Sequence, residues 1–229
     1  MTRAALVALL FLLSAPALAR EPLPPAAVAA AQAAALQALV DGNARFVEGK
    51  QAPRNLGAER RAELAKGQNP RAVVLACSDS RVPPEHVFDQ QLGEVFAVRT
   101  AGNVADAVAL GSIEYAVMHM GTPLIVVLGH SSCGAVQAAV EIRKTHAHAD
   151  GNVGEVMRLI QPAVAQAEKT KPSDLVSAAV DANVELEAKA ILKRSPAIAE
   201  LVKAGRVKIV TARYDLVTGK VQFGAPASP

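Results

Sequence analysis

The sequence has 229 residues, an apolar fraction of 51%, an aromatic fraction of only 3% and no tryptophan. Its 24 Lys and Arg residues and 21 Asp and Glu residues give a formal net charge of +3, which is too slight to indicate a nucleic-acid partner. The length allows one large domain with a single core, and the abundance of alanine and valine indicates that this core packs through small side chains.

The N-terminus has the pattern of a secretory signal. Arg3 supplies a positive charge, residues 4–13 are apolar, and Ala17-Leu18-Ala19 offers a small-residue cleavage site. The pattern predicts a signal peptide at residues 1–19, cleavage after Ala19 and a periplasmic mature protein. No later apolar run reaches the roughly 18 residues that a membrane helix needs, so we expect no membrane span in the mature form.

After the signal, residues 20–25 form a proline-rich leader, and we assign residues 26–229 to one domain. Periodic apolar side chains predict a helix from Ala26 to Val47. Because an isolated helix is marginally stable, this one must pack on the body of its own subunit or on a partner. A second helix is predicted from Gly57 to Lys66, where a glycine and a proline follow.

The centre of the chain alternates strands with helices. Strands are predicted at residues 72–76, 95–99 and 124–128, and helices at residues 84–88, 105–120 and 135–145. Helices follow at 155–169 and 173–193, then a strand at 207–212 and a segment at 216–221 that turns back as an antiparallel edge. The alternation predicts an α/β fold with a central, mainly parallel sheet that has an antiparallel edge and is flanked by helices.

Two of the predicted strands end in residues that bind metals. The first strand runs into Cys77, and the third runs into a turn that contains His130 and Cys133. Because the carboxyl ends of parallel strands meet in one crevice, we expect these side chains to lie close together. Zinc prefers thiolate and imidazole ligands in a tetrahedron, and three protein ligands leave the fourth position for water or substrate. We therefore predict one zinc ion held by Cys77, His130 and Cys133.

Export leaves a second interpretation of the two cysteines open. In an oxidising compartment a pair of cysteines ordinarily indicates one disulfide. Their position at strand ends, beside Asp, Arg and His, instead favours a chemical role. A metal-free fold closed by a disulfide between Cys77 and Cys133 remains an alternative.

Asp79 and Arg81 follow the first cysteine in the same loop. The planar guanidinium of Arg81 can bond the Asp79 carboxylate and keep it ionised and oriented. Asp79 would then accept a hydrogen bond from metal-bound water or, if the loop rearranges into a closed state, ligate zinc itself. The simpler alternative for this pair is an ordinary loop salt bridge.

Two motifs carry the predicted site: Cys77-Ser78-Asp79-Ser80-Arg81 and Gly129-His130-Ser131-Ser132-Cys133-Gly134. Together they resemble those of the β-class carbonic anhydrases, in an exported bacterial form. The resemblance covers residues 36–223 and includes the segments 39–46, 65–70, 93–96, 101–103, 111–116 and 214–221. It implies zinc-dependent, reversible hydration of carbon dioxide to bicarbonate and a proton, by attack of zinc-bound hydroxide on CO2.

The same resemblance implies roles for individual residues. It makes Cys77, His130 and Cys133 the ligands of one Zn2+ per subunit, and it makes Asp79 with Arg81 the catalytic dyad. It also implies five substrate-binding residues, of which the first comes from an adjoining subunit: Gln68, Phe96, Ala101, Tyr115 and Gly134. The assembly it implies is a homodimer or homotetramer whose N-terminal helices pack on a partner subunit.

One departure from the family pattern bears on regulation. The turn Ser131-Ser132 lacks the aromatic-glycine pair of members that a second bicarbonate ion regulates. We therefore expect the open form, with water as the fourth zinc ligand and Asp79 off the metal. Two alternatives use the same residues: a hydrolase of carbonyl sulfide or carbon disulfide, and a non-catalytic protein that binds zinc or bicarbonate.

Overall fold

The computed structural model describes residues 24–227 of the chain. The predicted signal peptide lies outside the described residues, so its assignment stays a prediction. Of the proline-rich leader only Pro24 and Pro25 are described, and Pro25 is already the first residue of a helix. Within residues 24–227, no helix combines the length and apolar character needed to cross a membrane.

Eight α-helices and five strands are described between residues 24 and 227. The helices are α1 (Pro25–Val47), α2 (Ala58–Leu64), α3 (Pro84–Val87), α4 (Ala107–His119), α5 (Gly134–Thr145), α6 (Val153–Glu168), α7 (Leu175–Arg194) and α8 (Pro196–Lys203). The strands are β1 (Ala72–Cys77), β2 (Val95–Thr100), β3 (Leu124–His130), β4 (Lys208–Tyr214) and β5 (Val221–Ala227). A single 3-10 turn, Ala101–Asn103, follows β2.

The five strands form one sheet in the order β2-β1-β3-β4-β5. The first four strands run parallel, and β5 pairs with β4 in the antiparallel sense. The predicted fold class, a mainly parallel sheet with an antiparallel edge and flanking helices, is confirmed. The register pairs Cys77 with Thr100 and His130 with Tyr214, so the last residues of β1 to β4 lie along one edge of the sheet.

The central strands explain why the chain folds this way. Every residue of β1 and β3 is buried, and both are near-continuous apolar runs, as expected for parallel strands covered on both faces. Alternate side chains point to opposite faces: Val73 and Leu75 join a core cluster with residues of α4, α7 and α8, whereas Val74 and Ala76 join one with α1 and α3. The two clusters hold the sheet between helical layers.

Two elements differ from the prediction. Helix α8 was not predicted, because the predicted elements pass from the helix at residues 173–193 directly to the strand at 207–212. Instead Pro196 is the first residue of a new one, where a proline is well tolerated, and the Ser195 hydroxyl caps it by accepting from the Ile198 amide. Residues 216–220 form the turn before β5, in which the Asp215 carboxylate accepts from two backbone amides.

The C-terminal half of α1 packs on its own subunit. Leu39 is completely buried, and the Asn43 amide donates to the carbonyls of Val87 and Gly219 while its oxygen accepts from the Val221 amide. These bonds join α1 to α3 and to the turn before β5. Most of the alanines in the first half of α1 are exposed, and the expected contact of this helix with a partner subunit stays a prediction.

Candidate metal centre

The ends of β1 and β3 bring three ligand-bearing side chains into one group. Cys77 is the last residue of β1, His130 is the last residue of β3, and Cys133 caps the N-terminus of α5. Their ligand atoms all lie within 4.8 Å of one another, and the three residues are only 5%, 0% and 2% exposed. Within residues 24–227 this is the one such group of three or more His, Cys, Asp or Glu residues.

The orientation of His130 leaves one ring nitrogen available as a ligand. Nδ1 lies 2.9 Å from the Ser131 carbonyl oxygen, which fixes Nδ1 as the protonated, donating nitrogen. Nε2 is fully buried and has no hydrogen-bond partner among the described residues. A buried nitrogen lone pair that faces two sulfurs is costly unless something binds it, and a zinc ion fits that position.

The two sulfur atoms are spaced as ligands rather than as a disulfide. Both cysteines are free, and their Sγ atoms are 4.0 Å apart. Two sulfurs on one tetrahedral zinc ion lie about 3.8 Å apart, and bonded disulfide sulfurs lie about 2.05 Å apart. A hydrogen bond from the Cys133 thiol lowers the pKa of Cys77 to about 4 despite its burial, and the same pairing raises the pKa of Cys133.

Asp79 and Arg81 form a tight pair beside this group. The Arg81 guanidinium donates to both carboxylate oxygens, at 2.9 and 2.6 Å, and the Arg81 backbone amide donates to Oδ1 at 2.9 Å. The Arg81 side chain thereby holds the pKa of Asp79 well below its usual range. Asp79 Oδ2 is 3.9 Å from His130 Nε2, so the ionised carboxylate stands next to the ligand group while Arg81 holds it.

The sequence analysis gave no role to Arg99, which holds the same loop by its main chain. Its Nε donates to the Cys77 carbonyl at 3.0 Å and its Nη2 donates to the Asp79 carbonyl at 2.6 Å. Arg99 lies at the end of β2, directly beside Ala76 of β1. The sequence does contain a signal that could have identified Arg99, because it is a charged residue at the end of the strand predicted at residues 95–99.

The sequence analysis also assigned no role to Asn183, which acts at the opposite side of the centre. The Gly102 amide donates to the Cys77 sulfur at 3.3 Å, and Asn183 of α7 donates to the Gly102 carbonyl at 2.8 Å. Asn183 is more than 100 residues from Cys77 in the sequence, and no local pattern marks it. Only the packing of α7 against the strand ends brings it near.

Of the five predicted substrate-binding residues, two lie next to the ligand group. Ala101 begins the 3-10 turn immediately before Gly102, and Gly134 begins α5 immediately after Cys133. Both are exposed, and Gly134 lies at a helix N-terminus, where the backbone favours negative charge.

The other three lie on outer parts of the subunit. Gln68 is exposed in the connection between α2 and β1. Phe96 of β2 lines a cavity of about 340 Å3 together with Asp106. Tyr115 of α4 is 53% exposed, and its ring centroid is 5.1 Å from that of His119. Their place in a substrate pocket stays a prediction.

The comparisons with known proteins agree with this geometry. The sequence profile of the carbonic anhydrase family matches residues 72–221. A carbonic anhydrase of Mycolicibacterium smegmatis is 44% identical over 190 residues, which is 83% of this chain and 92% of that protein. Carbonic anhydrase 2 of Mycobacterium tuberculosis is 43% identical over 187 residues, covering 82% of this chain and 90% of that protein.

Solved structures show the same architecture. A tetrameric β-carbonic anhydrase from Sordaria macrospora superposes with a TM-score of 0.66 at 26% identity, over 73% of this chain and 87% of that one. The β-carbonic anhydrase CafA of Aspergillus fumigatus superposes with a TM-score of 0.63 at 28% identity, over 75% and 83%. The fold, the paired motifs and these relatives lead to one conclusion: the chain belongs to the β class of the carbonic anhydrase family.

Proposed function

We propose that the protein catalyses the zinc-dependent, reversible hydration of carbon dioxide to bicarbonate and a proton. The observation that carries the proposal is the buried group of Cys77, His130 and Cys133 with an ionised carboxylate, that of Asp79, 3.9 Å from His130 Nε2. Zinc held by these three residues supplies a Lewis acid that lowers the pKa of water and so provides a nucleophile near neutral pH.

In this proposal Asp79 and Arg81 orient the reaction. Asp79 is positioned to accept a proton of the attacking water, and Arg81 keeps the carboxylate ionised and turned in one direction. Because Arg81 engages both carboxylate oxygens, Asp79 would be held away from a zinc ion bound by Cys77, His130 and Cys133. We therefore propose the open form, in which a water molecule rather than Asp79 would be the remaining zinc ligand.

The proposed substrate contacts combine an apolar wall with a few donors. Carbon dioxide is apolar and uncharged, so Phe96, Ala101 and Tyr115 need only exclude water. Negative charge develops on the substrate oxygens as bicarbonate forms, and the Gly134 amide at the start of α5 together with Gln68 would stabilise it.

The exposed apolar face of α4 supports an oligomer of this chain. Val108, Tyr115 and Met118 are 78%, 53% and 52% exposed and recur at helical spacing on α4, which packs on β2, the edge strand of the sheet. We propose a homodimer or homotetramer that covers this face and brings Gln68 of one subunit to the substrate pocket of its partner, a pocket that Phe96 and Tyr115 line. Light scattering of the native protein and of Met118→Glu tests this: a native monomer, or an unaltered assembly in the variant, would contradict it.

We further propose that residues 1–19 are a cleaved signal and that the mature enzyme is periplasmic. The support is the charged start, apolar run and Ala17-Leu18-Ala19 site of the sequence. Sequencing the N-terminus of the protein from a periplasmic fraction tests this. A mature chain that retains Met1 would contradict it.

The decisive experiment for the activity joins metal analysis to kinetics. The native protein is expected to contain one zinc per chain and to hydrate carbon dioxide in stopped-flow assays, with carbonyl sulfide and carbon disulfide as poorer substrates. One zinc per chain without carbon dioxide hydration would instead indicate a non-catalytic protein that binds zinc or bicarbonate. A preference for carbonyl sulfide would assign the site to the related hydrolase reaction.

A further inference from the structure

Helix α7 forms the inner wall behind the metal centre. It approaches β3 so closely that a Cβ atom on Gly129 would lie 2.4 Å from Val184 Cγ2, and Gly129 directly precedes the ligand His130. The helix therefore contacts the end of β3 through a glycine that leaves no space for a larger residue. Because this contact fixes the distance between α7 and the end of β3, a polar side chain on the same face of α7 has a fixed position relative to the metal centre.

Asn183 is such a side chain. It is 1% exposed, and its Nδ2 donates to the Gly102 carbonyl at 2.8 Å, while its Oδ1 has no hydrogen-bond partner among the described residues. Burying an amide in an apolar interface costs free energy unless its bonds repay the cost. The bond to Gly102 is the one hydrogen bond that this side chain makes among the described residues, and it leads to the metal centre.

Gly102 is hydrogen-bonded both to Asn183 and to the Cys77 sulfur. Its amide donates to Cys77 Sγ at 3.3 Å, so the two peptide groups flanking Gly102 contact Asn183 on one side and the sulfur on the other. The residue has φ +68, and a Cβ atom there would lie 2.6 Å from Ile160 Cδ1. The conformation is therefore one that glycine adopts freely and other residues do not.

We propose that Asn183 is a positioning residue of the metal centre, which binds the Gly102 carbonyl and so fixes the conformation of Gly102, whose N–H donates to the Cys77 sulfur. The inference rests on the proposed zinc function. An N–H donor withdraws charge from a thiolate, and hydrogen bonds to ligands fix their orientation. Asn183 thus sets both the direction of the Cys77 sulfur and the charge that it gives to a bound metal. It also fixes Ala101, which shares the turn.

Glu187 provides a matched control on the same helix face. It lies one helical turn beyond Asn183, is 6% exposed, and accepts at 2.8 Å from the amide of Ala105, in the same segment after β2. Its bond reaches the segment three residues beyond Gly102, away from the sulfur. A general role of α7 in supporting this segment would appear in both residues, whereas the proposed role belongs to Asn183 alone.

The test replaces zinc by Co2+ in the full-length native protein, Asn183→Leu and Glu187→Leu, and measures the thiolate-to-cobalt charge-transfer band. Leucine keeps the branched shape of asparagine but removes the donor, and at Glu187 it removes the acceptor of the Ala105 amide, so each variant loses one bond from α7. Asn183→Leu is expected to move the band to longer wavelength and to weaken zinc binding about tenfold in a chelator competition. Glu187→Leu is expected to leave both quantities at native values. An unchanged band and affinity in Asn183→Leu, or equal changes in Glu187→Leu, overturn the inference.

A second variant protects the test against misfolding. If Asn183→Leu does not fold, Asn183→Ser decides, because it removes the Nδ2 donor to the Gly102 carbonyl with a smaller side chain that cannot clash. A band shift there supports the inference, and a native band overturns it. A native protein that binds neither zinc nor cobalt would instead refute the proposed function, so the two failures are distinguishable.

Discussion

The ends of β1 and β3 carry the three proposed metal ligands but are held by different forces. The loop after β1 is held by charged side chains: Arg99 bonds the carbonyls of Cys77 and Asp79, and Arg81 bonds the Asp79 carboxylate. The Arg81 side chain is 58% exposed, so part of this loop contacts solvent.

The turn after β3 is held mainly by backbone bonds and burial. The Ser131 amide donates to the Tyr214 carbonyl at 2.9 Å, and the Ser131 hydroxyl accepts from the Leu216 amide at 2.9 Å. His130 is completely buried. Charged, partly exposed contacts can be remade during a reaction more cheaply than the bonds beside a completely buried side chain such as His130. The difference is consistent with the proposed proton chemistry in the β1 loop and with a fixed geometry at the β3 turn.

The largest effect on activity is expected from removal of a proposed zinc ligand, and it should be the same at the end of β1 as in the turn after β3. Cys77→Ala and Cys133→Ala each remove one of the three proposed ligands, so both are expected to lose bound zinc and to lower the hydration rate by more than about 100-fold. Zinc content by mass spectrometry, measured with stopped-flow hydration, checks this. A variant that keeps one zinc per chain at native affinity would remove that cysteine from the site.

The second prediction concerns Asp79, which lies only in the loop after β1. Asp79→Asn keeps the size of the side chain but removes its charge, so turnover is expected to fall by about 10²–10⁴-fold while zinc stays bound. The same zinc analysis and kinetic assay report both quantities. Unchanged turnover would remove Asp79 from the mechanism, and loss of zinc would give it a structural role instead.

A smaller effect is expected at Arg99. Arg99→Met removes the two donors that hold the carbonyls of Cys77 and Asp79 but keeps most of the aliphatic stem, so the Asp79 loop is expected to shift. A displacement of this kind lowers kcat/KM by about 10- to 100-fold. Arg99→Lys, which retains the charge without the planar fork, is expected to recover part of the loss. Equal rates in all three proteins would show that the loop keeps its position without Arg99.

The β3 turn should respond in stability rather than in rate. Ser131→Ala removes the acceptor of the Leu216 amide and is expected to lower the free energy of unfolding by about 1 kcal/mol, with turnover per bound zinc unchanged. Urea unfolding and stopped-flow hydration of the same preparations test this. A fall in turnover with native stability would reverse the roles assigned to the two ends.

Much of the fold and of the ligand set could be predicted from the sequence. The buried apolar runs at β1 and β3 mark parallel strands, and ligands at their carboxyl ends must converge, which places Cys77, His130 and Cys133 together. The pairing of Asp79 with Arg81 is local, because two residues of one loop can reach each other whatever the rest of the chain does.

Other features could not be predicted, because they depend on packing between distant segments. Asn183 reaches Gly102 across 81 sequence positions, and nothing in the periodicity of α7 distinguishes it from the other residues of the buried face. The surroundings of Tyr115 depend on whether another subunit covers the exposed face of α4. Helix α8 was missed for a local reason, since a proline stops one helix and starts the next equally well.

The smallest expected effect is on the pH dependence of stability, and it concerns Glu187 of α7, which lies neither in the loop after β1 nor in the turn after β3. Burial raises the pKa of this carboxyl, although the Ala105 amide and Arg194 act in the opposite direction. Below about pH 4.3, the usual value for glutamate, the folded and unfolded states are both protonated. Above it the unfolded state loses its proton first, so this group makes stability fall as pH rises until the folded-state pKa is passed.

Glu187→Gln keeps an oxygen that accepts from the Ala105 amide but removes the titration. The variant is therefore expected to lose this decline and to gain stability relative to the native protein once the pH exceeds the folded-state pKa. Urea unfolding midpoints from pH 4 to 8 test this, with Glu185→Gln, an exposed neighbour on the same helix, as the control. A difference from native that does not change with pH would show that the pKa of Glu187 is the same in the folded and unfolded states, so that its bond to Ala105 balances the cost of its burial.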